Sequence, residues 1–245
     1  METIEQKKQV SDLLNRDFIK WRTWNKRLDS GLLVVLLCLI VFVGSAFLDN
    51  HLLVDHGIGS LKYHDFDELL AINPDTVAWI TLDGTHIDHP VVQGKDNFEY
   101  LDRGFTGEYY SGGTLFLDCK SSRDFSDNYS IIHGHHMAGG AMFGDLEKYL
   151  EREFFTENYS GTLLTPSYDY DLRIIAVGEF DAYDQAIYTP GELIPFQKIK
   201  KNTYYRRTHE IDDAQQMLAL STCSSDMTDN RIVLFCKMEN KRIHE

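Results

Sequence analysis

Residues 31–48, running from Gly31 to Leu48, contain no Asp, Glu, Lys or Arg. As a helix rising about 1.5 Å per residue, such a run spans roughly 27 Å, close to the bilayer core of about 30 Å. No polar face interrupts it, unlike the helix of a soluble core. Lys20, Arg22, Lys26 and Arg27 precede the run, and Asp49 and Asp55 follow it. This charge bias places the N-terminus in the cytoplasm and residues 49–245 outside, in a single-pass arrangement. The small residues Gly44-Ser45-Ala46 offer a signal-peptide cleavage site as the rival reading. The long leader and the length of the run favour an uncleaved anchor. The chain therefore reads as a cytoplasmic leader over 1–30, a transmembrane signal anchor over 31–48, a linker and helical region over 49–70, and an outer domain over 71–245. In the leader, Val10, Leu14, Trp21, Trp24 and Leu28 recur at helical spacing beside basic residues. Two readings stay open there: an amphipathic helix on the inner leaflet, or a solvated tail with interfacial tryptophans.

Charge narrows the partners. The leader is net +2, whereas residues 49–245 are net −16. Phosphate binding needs clustered cations, so an acidic outer domain excludes nucleic acid as a partner.

The outer segment is punctuated like an all-β domain. Val77–Leu82 and Thr85–Val92 flank Asp83-Gly84 and read as a hairpin. Further strand-like runs cover Gly113–Asp118, Tyr129–His133, Gly161–Thr165, Leu172–Asp181, Met217–Cys223 and Arg231–Met238. Helical patterns fall at Phe66–Ile72, Asn97–Leu101, Met142–Leu150 and Pro195–Tyr205. Eight short strands with turn signals between them predict a mainly β fold, a closed eight-stranded β-barrel with peripheral helices.

Four cysteines do not make a disulfide framework in a chain this long. Cys38 lies in the expected span, and Cys236 shares strand parity with Ile232 and Leu234, which makes it core. A Cys119–Cys236 bridge is an open option for an extracytoplasmic domain. Cys223 is different. It ends the run Met217-Leu-Ala-Leu-Ser-Thr-Cys223, and Arg231 opens the next apolar run. His135 follows Tyr129-Ser-Ile-Ile-His-Gly134. A thiolate that attacks, an imidazole that moves a proton and a guanidinium that steadies an oxyanion are the parts of thiol acyl transfer. Parity puts Ser221 on the same strand face as Cys223. Two other classes stay open. His133, His135 and His136 could serve a membrane-tethered zinc hydrolase, or Cys223 could be structural in a non-catalytic cell-wall domain.

Together these residues resemble a sortase. The resemblance rests on Trp79-Ile, Ile87-Asp-His-Pro-Val-Val-Gln93, Asp96-Asn97, Tyr100-Leu101, Gly113-Thr-Leu-Phe-Leu-Asp118, Gly134-His-His-Met137, Met142-Phe143, Leu220-Ser-Thr-Cys223 and Arg231-Ile-Val233, in order over about residues 70–238. The Gly-His-His-Met run, the anchor and the long segment Tyr188–Gln216 resemble class B. The resemblance implies a membrane-anchored cysteine transpeptidase without cofactor or metal. It would cleave a C-terminal sorting signal of surface proteins and join the new carboxyl end to a peptidoglycan-precursor or pilin amine. It further implies catalysis by His135, Cys223 and Arg231, and sorting-signal contacts from Asn97, Leu101, His133, Ser221 and Thr222. The chain departs from the family pattern at His133, where Tyr is common, at Ser224, where an acidic residue is common, and at Cys119.

Overall fold

The computed structural model of the chain describes residues 65–191, 199, 201–212, 215–223 and 229–243, together with Cys38. The leader over 1–30 and, apart from Cys38, the span expected over 31–48 lie outside the described residues. Among the described residues no helix is long and apolar enough to cross a membrane.

Helix α1 (Phe66–Ile72) opens where the Asp65 side chain accepts the amides of Asp67 and Glu68, at 3.0 and 3.2 Å. Strands β1 (Thr76–Leu82) and β2 (Asp88–Val92) form the expected antiparallel hairpin, with Gly84 at φ 77° in its turn. Then come β3 (Leu115–Leu117), β4 (Tyr129–Gly134), β5 (Ser160–Leu164), β6 (Tyr168–Asp181), β7 (Thr203–Arg206), β8 (Met217–Cys223) and β9 (Asn230–Ile243). The sheet runs β5-β1-β2-β3-β4-β8-β9-β6-β7, and β5 pairs with β6. That last pairing closes eight strands into a barrel and leaves β7 as a ninth strand along β6. Pairing is antiparallel except for β2–β3 and β4–β8.

Alternation along each strand sorts two cores. Leu218, Leu220, Ile232, Leu234 and Cys236 turn inward with Ile80, Leu115, Ile132 and Ile174. Met217, Ala219, Val233 and Phe235 turn outward and are covered by Ile187, Ile199 and Ile211. The outer cover comes from the chain between β6 and β8, so this part of the barrel is buried on both faces.

Several elements differ from the sequence pattern. Asn97–Leu101 is a turn, not a helix. The Asp96 carboxylate caps the amides of Phe98 and Glu99, and so few residues cannot propagate a helix. The helix expected over Met142–Leu150 is a 3-10 helix over Gly144–Leu150, preceded by Met142 at φ 52°. The pattern over Pro195–Tyr205 is helical at Ile199 and residues 201–202, but Thr203–Arg206 is strand β7. Thr-Tyr-Tyr suits a pleated surface, and the edge of β6 beyond β5 was open to it. Short helices α2 (Arg152–Glu157) and α3 (Thr208–Asp212) had no separate sequence signal. Cys119 and Cys236 are both free thiols, which removes the bridge between them. Cys236 is fully buried, and burial pushes its thiol far above the ordinary range.

Candidate active site

The parallel pairing of β4 with β8 sets the site. Its register matches His133 with Ser221 and Gly134 with Thr222. The same offset carried one step further aligns position 135 with position 223. On the other side of β8, the Cα of Cys223 pairs with that of Arg231 on β9. Continued past the end of β4, the β4–β8 register would set position 135 level with 223 and 231 on neighbouring strands about 4.8 Å apart.

His135 is held from outside the barrel. Its Nε2 lies 2.7 Å from the backbone carbonyl of Leu101. A carbonyl only accepts, so Nε2 carries the proton and the neutral ring keeps Nδ1 as its basic nitrogen. The segment after His135 folds back tightly. The Phe143 amide donates to the His135 carbonyl at 3.0 Å, and His136 bridges to Met142. Gly134 makes room for this return, since a Cβ there would lie 2.4 Å from Leu115 Cδ2 and 2.7 Å from Phe143 Cδ2.

The Leu101 carbonyl belongs to the turn over 96–101, and side chains of that turn tie it down on two sides, beside the Thr114 amide that donates to the Tyr100 carbonyl at 3.1 Å. The buried Tyr100 hydroxyl donates to Asp75 at 2.8 Å. Asn97 spends both ends of its amide internally: Nδ2 donates to Asp118 Oδ2 at 2.8 Å, and Oδ1 accepts the Cys119 amide at 2.8 Å. His133 Nε2 reaches the same Asp118 oxygen at 3.1 Å. Burial alone would raise the Asp118 carboxyl. The bonds from His133, the Lys120 amide and Asn97 outweigh it and hold the group below its usual range.

One pleat step behind the reactive row, His133 lies 5.3 Å from the Phe116 ring and stacks on Tyr188 at 6.2 Å. The Tyr188 hydroxyl meets Ser221 Oγ at 3.0 Å. Tyr188 rides on the strap after β6. The strap is fixed where Tyr129 OH donates to the Ile187 carbonyl and where Gly191 bridges Tyr129. Thr222 has the parity of the inward residues and is buried entirely. Sequence reasoning did not find Asp118 or Tyr188 as site residues; Asp118 only ended a quoted motif, and Tyr188 only opened a long segment.

The three clustered histidines part company. His133 meets Asp118, His135 meets Leu101 and His136 meets Glu147 at 2.8 Å. Among the described residues no group of three or more His, Cys, Asp or Glu side chains is arranged to hold a metal ion.

This architecture has known counterparts. No family profile matches the chain. Sortase B of Listeria monocytogenes is 32% identical over 181 residues, covering 71% of this chain and 74% of that protein. The chain belongs to the sortase family. Among solved structures, a Streptococcus pyogenes class B sortase involved in pilus biogenesis is 37% identical, with a TM-score of 0.65 over 72% of this chain and 98% of the other. A Staphylococcus aureus sortase B–substrate complex is 25% identical, with a TM-score of 0.63 over 80% of this chain and 94% of the other. As a sortase, the protein is a cysteine transpeptidase built on a closed eight-stranded β-barrel.

Proposed function

We propose that this sortase is anchored in the cell membrane through residues 31–48, and that its outer domain cleaves a C-terminal sorting signal of surface proteins and passes the new carboxyl end to an amine. Cys223 is the nucleophile. His135 Nδ1 takes the Cys223 thiol proton, the thiolate sulfur bonds to the scissile carbonyl carbon as the peptide C–N bond breaks, and the leaving amine takes that proton from Nδ1. The acceptor amine then attacks the thioester, gives a proton back to His135 Nδ1 and releases the Cys223 thiolate. Arg231 supplies fixed cationic donors to the oxyanion in both halves. The sorting signal approaches along the rim beside Leu101, with Asn97, His133, Ser221 and Thr222 beneath that rim. The acceptor is a peptidoglycan-precursor or pilin amine, in keeping with the pilus role of the Streptococcus pyogenes relative and the substrate complex of the Staphylococcus aureus one.

The observation that carries this reading is the Cys223–Arg231 pair on β8 and β9 with position 135 just past the end of β4, whose last pair is Gly134 with Thr222, and with the His135 Nε2 proton committed to Leu101. The test uses the full chain and peptides copied from the sorting signals of surface proteins encoded in the same genome. Wild type should release the C-terminal fragment and join the rest to an added amine. Cys223→Ala and His135→Ala should lose this activity, while His136→Ala keeps most of it. A folded Cys223→Ala protein that still cleaves, or a His136→Ala variant hit harder than His135→Ala, overturns the assignment.

A further inference from the structure

The sorting-signal role expected for Asn97 and His133 sits badly with where their polar atoms go. Asn97 uses its amide nitrogen on Asp118 and its amide oxygen on the Cys119 backbone. His133 uses Nε2 on Asp118. The Asp118 side chain is 5% exposed, and its other oxygen takes the Lys120 amide at 2.9 Å. These groups form a closed set under the rim rather than a row of open ligands. The set has one outlet. Asn97 lies in the turn over 96–101, and four residues on that turn presents the Leu101 carbonyl to His135 at 2.7 Å.

We infer that His133, Asp118 and Asn97 act as a positioning relay that locks the 96–101 turn and, through the Leu101 carbonyl, fixes the tautomer and orientation of His135. The relay rests on His135 as the acid–base group proposed above. A backbone carbonyl on a short turn orients an imidazole only as well as the turn is held. Tyr100 holds the turn from the β1 side through Asp75, and the relay holds it from the β3–β4 side. His133 supplies what a carboxylate at 118 needs most, a donor buried beside it: the His133 side chain is 14% exposed and faces the one Asp118 oxygen that Asn97 also uses. Without the His133 donor, the Asp118 oxygen is drawn toward other partners and the Asn97 bond slackens. None of the three residues needs to touch substrate for this to matter, because a displacement of about 1 Å in a reacting group can cost on the order of 10²-fold in rate.

The test is spectroscopic, so it does not depend on turnover. The full-length chain is labelled with 15N-histidine, and the His135 imidazole is observed in its neutral form, assigned by its loss in His135→Ala. Wild type should show one protonated and one bare nitrogen, with Nε2 the protonated one. Asn97→Ala, and His133→Phe, which keeps a ring between Phe116 and Tyr188, should both pull the two nitrogen shifts together as the tautomers mix. His133→Gln restores a donor to Asp118 and should restore the wild-type pattern. With the best peptide from the panel, kcat should fall in the first two variants while KM holds. Melting curves establish that each variant is folded; if Asn97→Ala is not, His133→Phe and its Gln rescue carry the test alone. An unchanged His135 tautomer in folded variants, or a rise in KM with kcat unchanged, overturns the relay. Neither result touches the catalytic reading, which stands or falls on the activity of His135→Ala.

Discussion

Arg231 faces Cys223 across a backbone pair, on a strand whose next five residues are buried. If its guanidinium steadies the oxyanion, its removal acts on the chemical step. Arg231→Ala should lower kcat by about 10²–10³ with little change in KM. Arg231→Lys keeps the charge but loses the planar fork, so it should recover little. Steady-state kinetics beside a melting curve check this, and a loss of stability with normal kinetics points to a structural ion pair instead. His89 shows a different residue-scale effect. It shares the strand parity of Ile87 and Val91, its Nε2 is buried without a hydrogen-bond partner, and burial lowers its pKa from 6.5 to about 4. The unfolded chain therefore binds this proton more readily than the folded one. Stability is unaffected above pH 6.5 and falls as the pH drops from 6.5 toward 4, by about 3 kcal/mol at full protonation. His89→Gln should flatten that part of the urea-midpoint profile; an unchanged slope removes His89 as its source.

At the scale of elements, the turn over 96–101 shows how a backbone carbonyl becomes a functional group. Gly113 sits beside it at φ 60°, and a Cβ there would lie 2.4 Å from the Tyr100 carbonyl oxygen and 2.5 Å from that of Leu101. Gly113→Ala should cost at least about 1 kcal/mol through backbone strain alone. It should also push the Leu101 oxygen away from His135, so turnover per folded molecule should fall as well. Thermal melts and single-turnover rates on the same preparation separate the two effects, and normal turnover would show that His135 does not depend on this carbonyl. This part of the site was invisible in the sequence because a carbonyl acts regardless of its side chain. Cys223, His135 and Arg231 stood out in the sequence because each stands at the end of an apolar run, and the register of β8 with β9 pairs positions 223 and 231. Asn97 and Leu101 were legible as positions but not as contacts: nothing local says that Asn97 turns to Asp118, 21 residues away. Strand β7 was misread because its Thr-Tyr-Tyr follows a helical pattern, and only the vacant edge of β6 makes it a strand.

At the scale of the whole molecule, the eight barrel strands and the closed barrel followed from alternation and turn chemistry, whereas the particular pair that closes it, β5 with β6, did not. That pairing depends on a fold-wide register that no local pattern carries. The parallel β4–β8 pair has the same character. It joins residues 129–134 to 217–222, with most of the outer cover lying between them in the chain. Long-range parallel pairing is slow to form, because the entropy of loop closure is lost before any contact compensates for it. Its consequence is one of timing. During synthesis the imidazole segment emerges well before residue 223, and β8 and β9 are the last strands to arrive. Until they pair, position 223 has neither the end of β4 nor Arg231 alongside. The nascent protein therefore carries residue 223 unassembled through most of its synthesis, and the ring is complete only when its final two strands arrive.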